Sequence, residues 1–322
     1  MRLDFFRQGL LCLLATGAVA AHAQNYPARP ITMVVPFAAG GNNDVAGRVI
    51  AQKLSENLNR QVVVENRTGA SGAIGASFVA HAKPDGYTIG FMSSGPMAAN
   101  VSLYKSLPYD PVKGFVAVAR TTTSPNVLVV NPSVQANSLA ELVAWLKQHP
   151  GKMNYGTSGN GSSPHLSAVL FESRAGVEMT SVPYRGGNQV NADLLAGRIQ
   201  ASFSPILEVL PYIRAGKLKA LGVTSAKRSA LLPDVPAIAE QFPGYEIVNW
   251  NGVVAPAGTS PEIIAKLSAE TIKAIGSPDV KARLLQLGLE PAPLSSADFG
   301  TFTKSEIVAF SKLVKLAGVE PQ

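Results

Sequence analysis

Three times in this chain a run of strand-forming residues passes through a small, polar or glycine-rich loop straight into a helical pattern. That order restricts the fold to α/β layers rather than a sandwich or a helical bundle. The first instance is VVPFAAGGNNDVAGRVI at residues 34–50, the second YGTSGNGSSPH at 155–165, and the third VPYRGGN at 182–188. Each loop offers unpaired backbone N–H groups at the positive end of a helix, where an anionic oxygen is readily held. In the second loop Ser163 reads as the helix cap, with Pro164 at the first helical position. Ligands of open α/β sheets bind outside the carboxyl ends of the strands, so three such loops point to one shared carboxylate or phosphate site.

The same alternation organises the rest of the chain. After the strand pattern at 31–35, Val45, Val49, Ile50, Leu54 and Leu58 recur at helical spacing. A second strand is expected at 62–64. It is followed by a glycine-spaced helix with Ile74, Phe78 and Val79 on one face, and then by a turn at Pro84-Asp85-Gly86 into a strand at 87–92. TTTSP at 121–125 interrupts two strand runs, 116–119 and 127–130, and marks a domain crossing. Ser138 with Glu141 forms a capping box for a helix that His149-Pro150-Gly151 stops. Strands at 153–157, 179–184, 199–203 and 218–224 follow, with helices between them. A proline-punctuated connection at 228–244 then leads to a returning run at 245–254. The tail reads as three helices, beginning at Glu262, Pro278 and Phe302. The 322 residues, 46% of them hydrophobic, are enough for two cores. One domain is expected from 24–124 with 247–322, the other from 125–246.

Residues 1–23 combine Arg2 and Arg7, an apolar run at 9–20 and an Ala21-His22-Ala23 end, the pattern of a secretory signal peptide cleaved after Ala23. No other segment approaches the ~20 uninterrupted apolar residues of a transmembrane helix. The single cysteine, Cys12, falls inside that signal, so the exported chain would have neither a disulfide nor a thiol nucleophile.

Other chemistries are disfavoured by detail. The net charge of +7 is spread over scattered lysines and arginines with no basic stripe, which argues against nucleic acid. GASGAIG at 69–75 lacks the dinucleotide spacing and reads as a helix packed closely on its neighbour. GTSGNGSS lacks the Gly-Lys ending of a phosphate-binding loop. Ser158, Ser162 and Ser163 near His165 and Glu172 raise an exported serine hydrolase using the Ser162/His165 region, but the G-x-S-x-G context is missing and the hydroxyls read as caps. Beyond the signal only His81, His149 and His165 remain, none at ligand spacing, so no metal and no cofactor is expected. Asp44 is the one carboxylate in a candidate loop, where it favours the helix dipole or helps form a site.

The ordered motifs YPARPITMVVPFAAGGNNDVAGRVIAQKL, VVVENRTGASGAIGA, KPDGYTIGF, LPYDPVKGF, MNYGTSGNGSSPHL, VPYRGG, IRAGKLKALGVTSAKRSALLPDVPAIAE and NWNGVVAPAGTSPEIIAKL resemble the Bug family. These are the periplasmic solute receptors of tripartite tricarboxylate transporters, and the resemblance covers essentially the whole exported chain. It implies an α/β, two-lobed periplasmic-binding-protein fold of the Venus-flytrap type II. The expected protein is a non-catalytic, monomeric receptor that closes on a small carboxylate and delivers it to membrane permease subunits. Carried over residue by residue, it places Phe37, Ala39, Gly40, Gly41 and Asp44 at the ligand on one lobe, with Thr157, Ser162, His165, Tyr184 and Gly187 on the other. Ser93 and Ser94 are further candidates. Phe37 and Tyr184 would pack the ligand body. Family members often carry PFPPGG or PFPAGG where this chain has PFAAGG, and often an aspartate at the position of Ser204. Its absence argues against amino-acid ligands. An orphan receptor acting in signalling is a further alternative.

Overall fold

A computed structural model describes residues 26–184 and 186–321. The expected signal peptide, its Ala23 cleavage point and Cys12 lie outside those residues, as does Arg185 of the third loop.

The chain opens with β1 (Ile31–Val35), whose apolar side chains are buried, and α1 (Asn42–Leu58). Ala46, Ile50, Leu54 and Leu58 recur every four residues on the buried face of α1, which stops where Asn59 turns left-handed at φ 50°. Leu54 is fully buried, and truncating it to alanine is expected to cost about 2–5 kcal/mol. Next come β2 (Val62–Asn66), α2 (Ala73–Ala80), β3 (Thr88–Ser93), a wide helical turn at Gly95–Ala99 and α3 (Asn100–Leu103). The face of α2 differs from the expected one: Ile74 and Phe78 are exposed, and the helix instead buries Ala73, Gly75, Ala76 and Val79. Glycine is the reason. A Cβ on Gly75 would stand 2.7 Å from the Arg67 carbonyl oxygen and 2.8 Å from Pro36 Cβ, so the helix is pressed against the loop that follows β1 along its glycine side.

The long β4 (Phe115–Val130) is followed by α4 (Leu139–Gln148), β5 (Asn154–Thr157), α5 (Ser163–Ala175), β6 (Thr180–Pro183), α6 (Gly187–Leu195), β7 (Ala201–Pro205), α7 (Ile206–Arg214) and β8 (Lys219–Val223). A short α8 (Ile238–Gln241) and β9 (Val248–Pro256) lead to the tail of α9 (Pro261–Gly276), α10 (Pro278–Gln286), β10 (Glu290–Leu294) and α11 (Ser296–Leu316). The strand β10 was hidden in the sequence by its two prolines, which suit an edge strand that needs few donors.

All ten strands of the described residues belong to one curled sheet in the order β2-β1-β3-β9-β4-β7-β5-β6, with β8 and β10 also on β4. The expected break at TTTSP does not occur: β4 runs through it as one strand of 16 residues. Its first part pairs antiparallel with β9 as far as Pro125 opposite Val248, and from Asn126 it pairs antiparallel with β7. Pro125, which has no N–H to give, sits where one set of partners ends and the other begins.

Strand directions then fix where a ligand can go. β1 and β3 are parallel to each other and antiparallel to β9, which is antiparallel to β4, so the first half-sheet runs in the direction of β4. β7 is antiparallel to β4, and β5 and β6 follow β7, so the second half-sheet runs against it. Because the halves lie at opposite ends of β4, the carboxyl ends of their strands face each other across the seam at 125/126. One core packs behind each half around Ile50 and Leu54 or Val127 and Leu194. A third continues through the seam with Phe203, Trp250 and Phe299.

Candidate functional site

The first loop follows β1 and is held from beneath by Asp44, which is 2% exposed. Its Oδ2 accepts from the Gly40 amide at 2.9 Å and from Arg48 Nε at 3.0 Å, and its Oδ1 accepts from Asn66 Nδ2 at 2.8 Å. Asn66 also donates to the Phe37 carbonyl, 2.9 Å, and accepts from the Arg48 guanidinium, 3.1 Å. Desolvation pushes the Asp44 carboxyl upward, but the hydrogen bonds from Arg48, Gly40 and Asn66 outweigh it and hold the pKa below the ordinary carboxylate range. Asp44 therefore braces the loop, and the Gly40 N–H is already engaged. The Gly41 amide points back at the Ala38 carbonyl, 3.3 Å away. The donors left for an anion are those of Ala39 and of the first turn of α1, whose N-cap Gly41 supplies no side-chain bond. Phe37 is half-buried and lies against Gly72.

The second loop closes on itself without charge. Ser162 is the cap of α5, one residue earlier than expected: its Oγ accepts from the His165 amide at 3.4 Å and donates to the Gly159 carbonyl at 2.6 Å. Ser163 is already helical because its hydroxyl is engaged elsewhere. It accepts from Asn126 Nδ2 at 2.8 Å and from Asn249 Nδ2 at 3.2 Å, one asparagine from β4 just past the seam and one from the start of β9 beside it. Asn126, fully buried, also donates to Ser167 Oγ at 3.0 Å. The His165 ring accepts from the Gly161 amide at Nδ1, 3.1 Å, which leaves its remaining proton on Nε2 as a neutral donor. Burial pushes its pKa below the usual histidine range. Thr157 is fully buried and accepts from the Gly159 amide at 3.3 Å.

The third loop is tied to the second by the Tyr184 amide, which donates to the Thr157 carbonyl at 2.9 Å. The Tyr184 ring lies against Gly156 of β5, and its hydroxyl donates to Asp193 at 2.8 Å within the same half of the molecule. Asp193 is in turn paired with Arg198 at 2.7 Å. Gly186, the N-cap of α6, supplies no side-chain cap, so among the described residues the amides of Gly187 and Asn188 have no partner, while that of Gln189 donates to the Gly186 carbonyl at 3.2 Å. The buried Ser204 hydroxyl lies 3.0 Å from that of Ser202, which donates to the Gly156 carbonyl. Ser94 is buried at the end of β3, with Ser93 half-buried beside it.

A cavity of about 690 Å³ is lined by Ser71 and Tyr104, by Asn160 and His165, and by Gly318 and Val319 of the tail, and His165 is the one candidate ligand residue among its lining residues. Sequence reasoning missed Arg48 and Asn66, which complete the Asp44 brace, and Asn126 and Asn249, which anchor Ser163. Each looked like an ordinary polar residue, and only the folded chain shows their convergence. Among the described residues no group of three or more His, Cys, Asp or Glu could hold a metal ion. None of the helices built from them is long and apolar enough to cross a membrane.

Comparisons with known proteins agree with this layout. Residues 46–319 match the model of the "Tripartite tricarboxylate transporter family receptor". Protein BugT of Bordetella pertussis is 37% identical over 311 residues, covering 95% of each chain. The structure of Rpa4515 from R. palustris with adipate is 38% identical, covers 92% of this chain and 100% of its own, and superposes with a TM-score of 0.75. MatC from Rhodopseudomonas palustris with bound malate is 32% identical, covers 90% and 100%, and gives 0.69. The two half-sheets are thus the lobes of a periplasmic-binding-protein fold, and the chain belongs to the tripartite tricarboxylate transporter receptor family, among its Bug-type members.

Proposed function

We propose that this receptor traps a small carboxylate between its lobes in the periplasm and passes it to the permease subunits of a tripartite tricarboxylate transporter. The observation that carries this reading is the opposition of strand carboxyl ends across the seam. Uncapped helix N-termini after β1 and β6 then converge on one space from both lobes, and closure adds contacts that only the bound state makes. Relatives at 38% and 32% identity are seen with adipate and malate, both carboxylates, which supports the ligand class. The lobes are taken as 24–124 with 247–322 and 125–246, following the exchange of partners along β4. Residues 1–23 are taken as the export signal and the mature receptor as a monomer.

On the first lobe, Ala39, Gly41 and the opening turn of α1 would meet the ligand, with Phe37 beside it and Gly40 and Asp44 shaping the loop. On the second, Thr157, Ser162 and His165 shape the loop that meets the ligand, and the Gly187 turn closes the far side. Ser94 and Ser204 lie at the floor. The chemistry is capture. Ser162 Oγ donates to a carbonyl and accepts an amide rather than meeting the imidazole, so no base is positioned to activate it.

A thermal-shift screen tests the proposal with mono-, di- and tricarboxylates, aromatic acids, amino acids and uncharged sugars. An acid at 100 times its Kd should add about 2.7 kcal/mol of stability. Stabilisation by sugars and by no acid would overturn it, and ester turnover lost in Ser162→Ala would favour a hydrolase.

A further inference from the structure

One carboxylate on the second lobe has no place in the account so far. Glu208 lies in the first turn of α7, directly after β7, and therefore at the carboxyl end of a strand on the side that faces the other lobe. Its carboxylate rests on Gly187, the first residue of α6. A Cβ built there would stand 2.1 Å from Oε2, 3.0 Å from Cδ and 3.2 Å from Oε1. Only a glycine lets the acid come this close. Among the described residues Glu208 has no hydrogen-bond or ion-pair partner, and although it is exposed to solvent, the surrounding protein desolvates its carboxyl and pushes the pKa up. Its carboxylate is thus placed beside the start of α6, and no cation among the described residues pairs with it there.

We propose that Glu208 is a specificity-determining residue that sets a negative charge at the second-lobe end of the cleft and discriminates against ligands whose far end is another carboxylate. The inference rests on the reading of this chain as a carboxylate receptor and deepens it. One carboxylate is received by the first-lobe amides. The remote end of the ligand then meets an acid already seated at the α6 turn, which favours an ammonium or a hydroxyl there over a second anion. The aspartate that relatives often carry at the position of Ser204 is missing. Four residues later, in the first turn of the helix that follows β7, Glu208 supplies a different acid.

Two series of equal length and different far end test this: butyrate, succinate and 4-aminobutyrate, and hexanoate, adipate and 6-aminohexanoate. Affinities are measured by calorimetry for the unaltered protein and for Glu208→Gln. For charges about 6 Å apart in a partly solvated site, the variant should bind the dicarboxylates roughly 5- to 10-fold more tightly and the amino acids several-fold more weakly, with the monocarboxylates within about 2-fold. Gly187→Ala, whose methyl takes the place of the carboxylate, should move the dicarboxylate-to-monocarboxylate ratio the same way. Equal shifts for all three far ends would overturn the proposal while leaving the receptor reading intact. Binding of none of the six by either protein would remove the carboxylate reading and this proposal with it.

Discussion

The first and second loops share a plan of strand, small residues and helix, yet they are held in place by opposite physics. The loop at 36–44 is fixed by an ionised, buried carboxylate: Asp44 gathers the Gly40 amide, Arg48 and Asn66. The loop at 157–163 is fixed by neutral groups: Ser162, Thr157 and His165 close it locally, and Asn126 and Asn249 fasten the start of its helix to the seam. A charged brace is strong but depends on its protonation state. A neutral one depends on hinge geometry instead, so the two lobes should respond to different perturbations.

The largest effect should come from the charged side. Asp44→Ala leaves three donors without their acceptor and is expected to cost about 3 kcal/mol together with most of the ligand affinity, read by denaturant unfolding and calorimetry. A loss no greater than that of an exposed aspartate would dissolve the contrast between the loops. Acid titration sharpens the same point. The Asp44 pKa is lowered by folding, so its stabilisation is complete above the unfolded carboxylate value and drains as pH falls through the lower folded one. The melting-temperature gap between the unaltered protein and Asp44→Asn should therefore be constant near neutrality and narrow between roughly pH 5 and pH 3.

Next in size is Gly75→Ala, which forces a methyl against the Arg67 carbonyl and Pro36 at the base of the first loop. A destabilisation of about 2–3 kcal/mol is expected, with weakened binding, because overpacking cannot be relieved where the obstacle is backbone. Asn126→Ala should cost about 2 kcal/mol by removing the buried donor shared by Ser163 and Ser167. Unlike Asp44→Asn, its penalty should be independent of pH between about 4 and 8, where neither partner titrates. A pH-dependent penalty would show that the second loop is not held by neutral groups. Smallest is Ser162→Ala, worth about 1 kcal/mol as a lost helix cap and measured by thermal unfolding. Retention of ligand binding within a few-fold would confirm that Ser162 shapes its loop.

How much of this was legible in the chain follows the same division. Local signals reported well: the strand at Ile31–Val35 and the cap and proline opening α9 both reflect forces acting within a few residues, whereas of the glycines at 69–75, read as one helix, only Gly75 lies in α2 and Gly69 and Gly72 take φ of 125° and 88°. The unbroken β4 was not legible, because threonines and a proline read as a turn until β9 on one side and β7 on the other supply the partners that make them a strand. The supports of the site were hidden for a related reason. Asn66 and Asn126 act on residues 22 and 37 positions away, and no local periodicity reports a contact of that range. Glu208 was masked by its position on an amphipathic helix, where an exposed acid is the ordinary expectation.

The shared strand has a consequence for how the molecule comes apart. A single ladder serves both lobes, and the aromatic core around Trp250 and Phe299 crosses the same seam. Neither lobe can shed its half of β4 without baring the other's edge. Heating should therefore melt the receptor in one calorimetric transition, and amide protons on either side of Pro125 should be among the last to exchange with deuterated water.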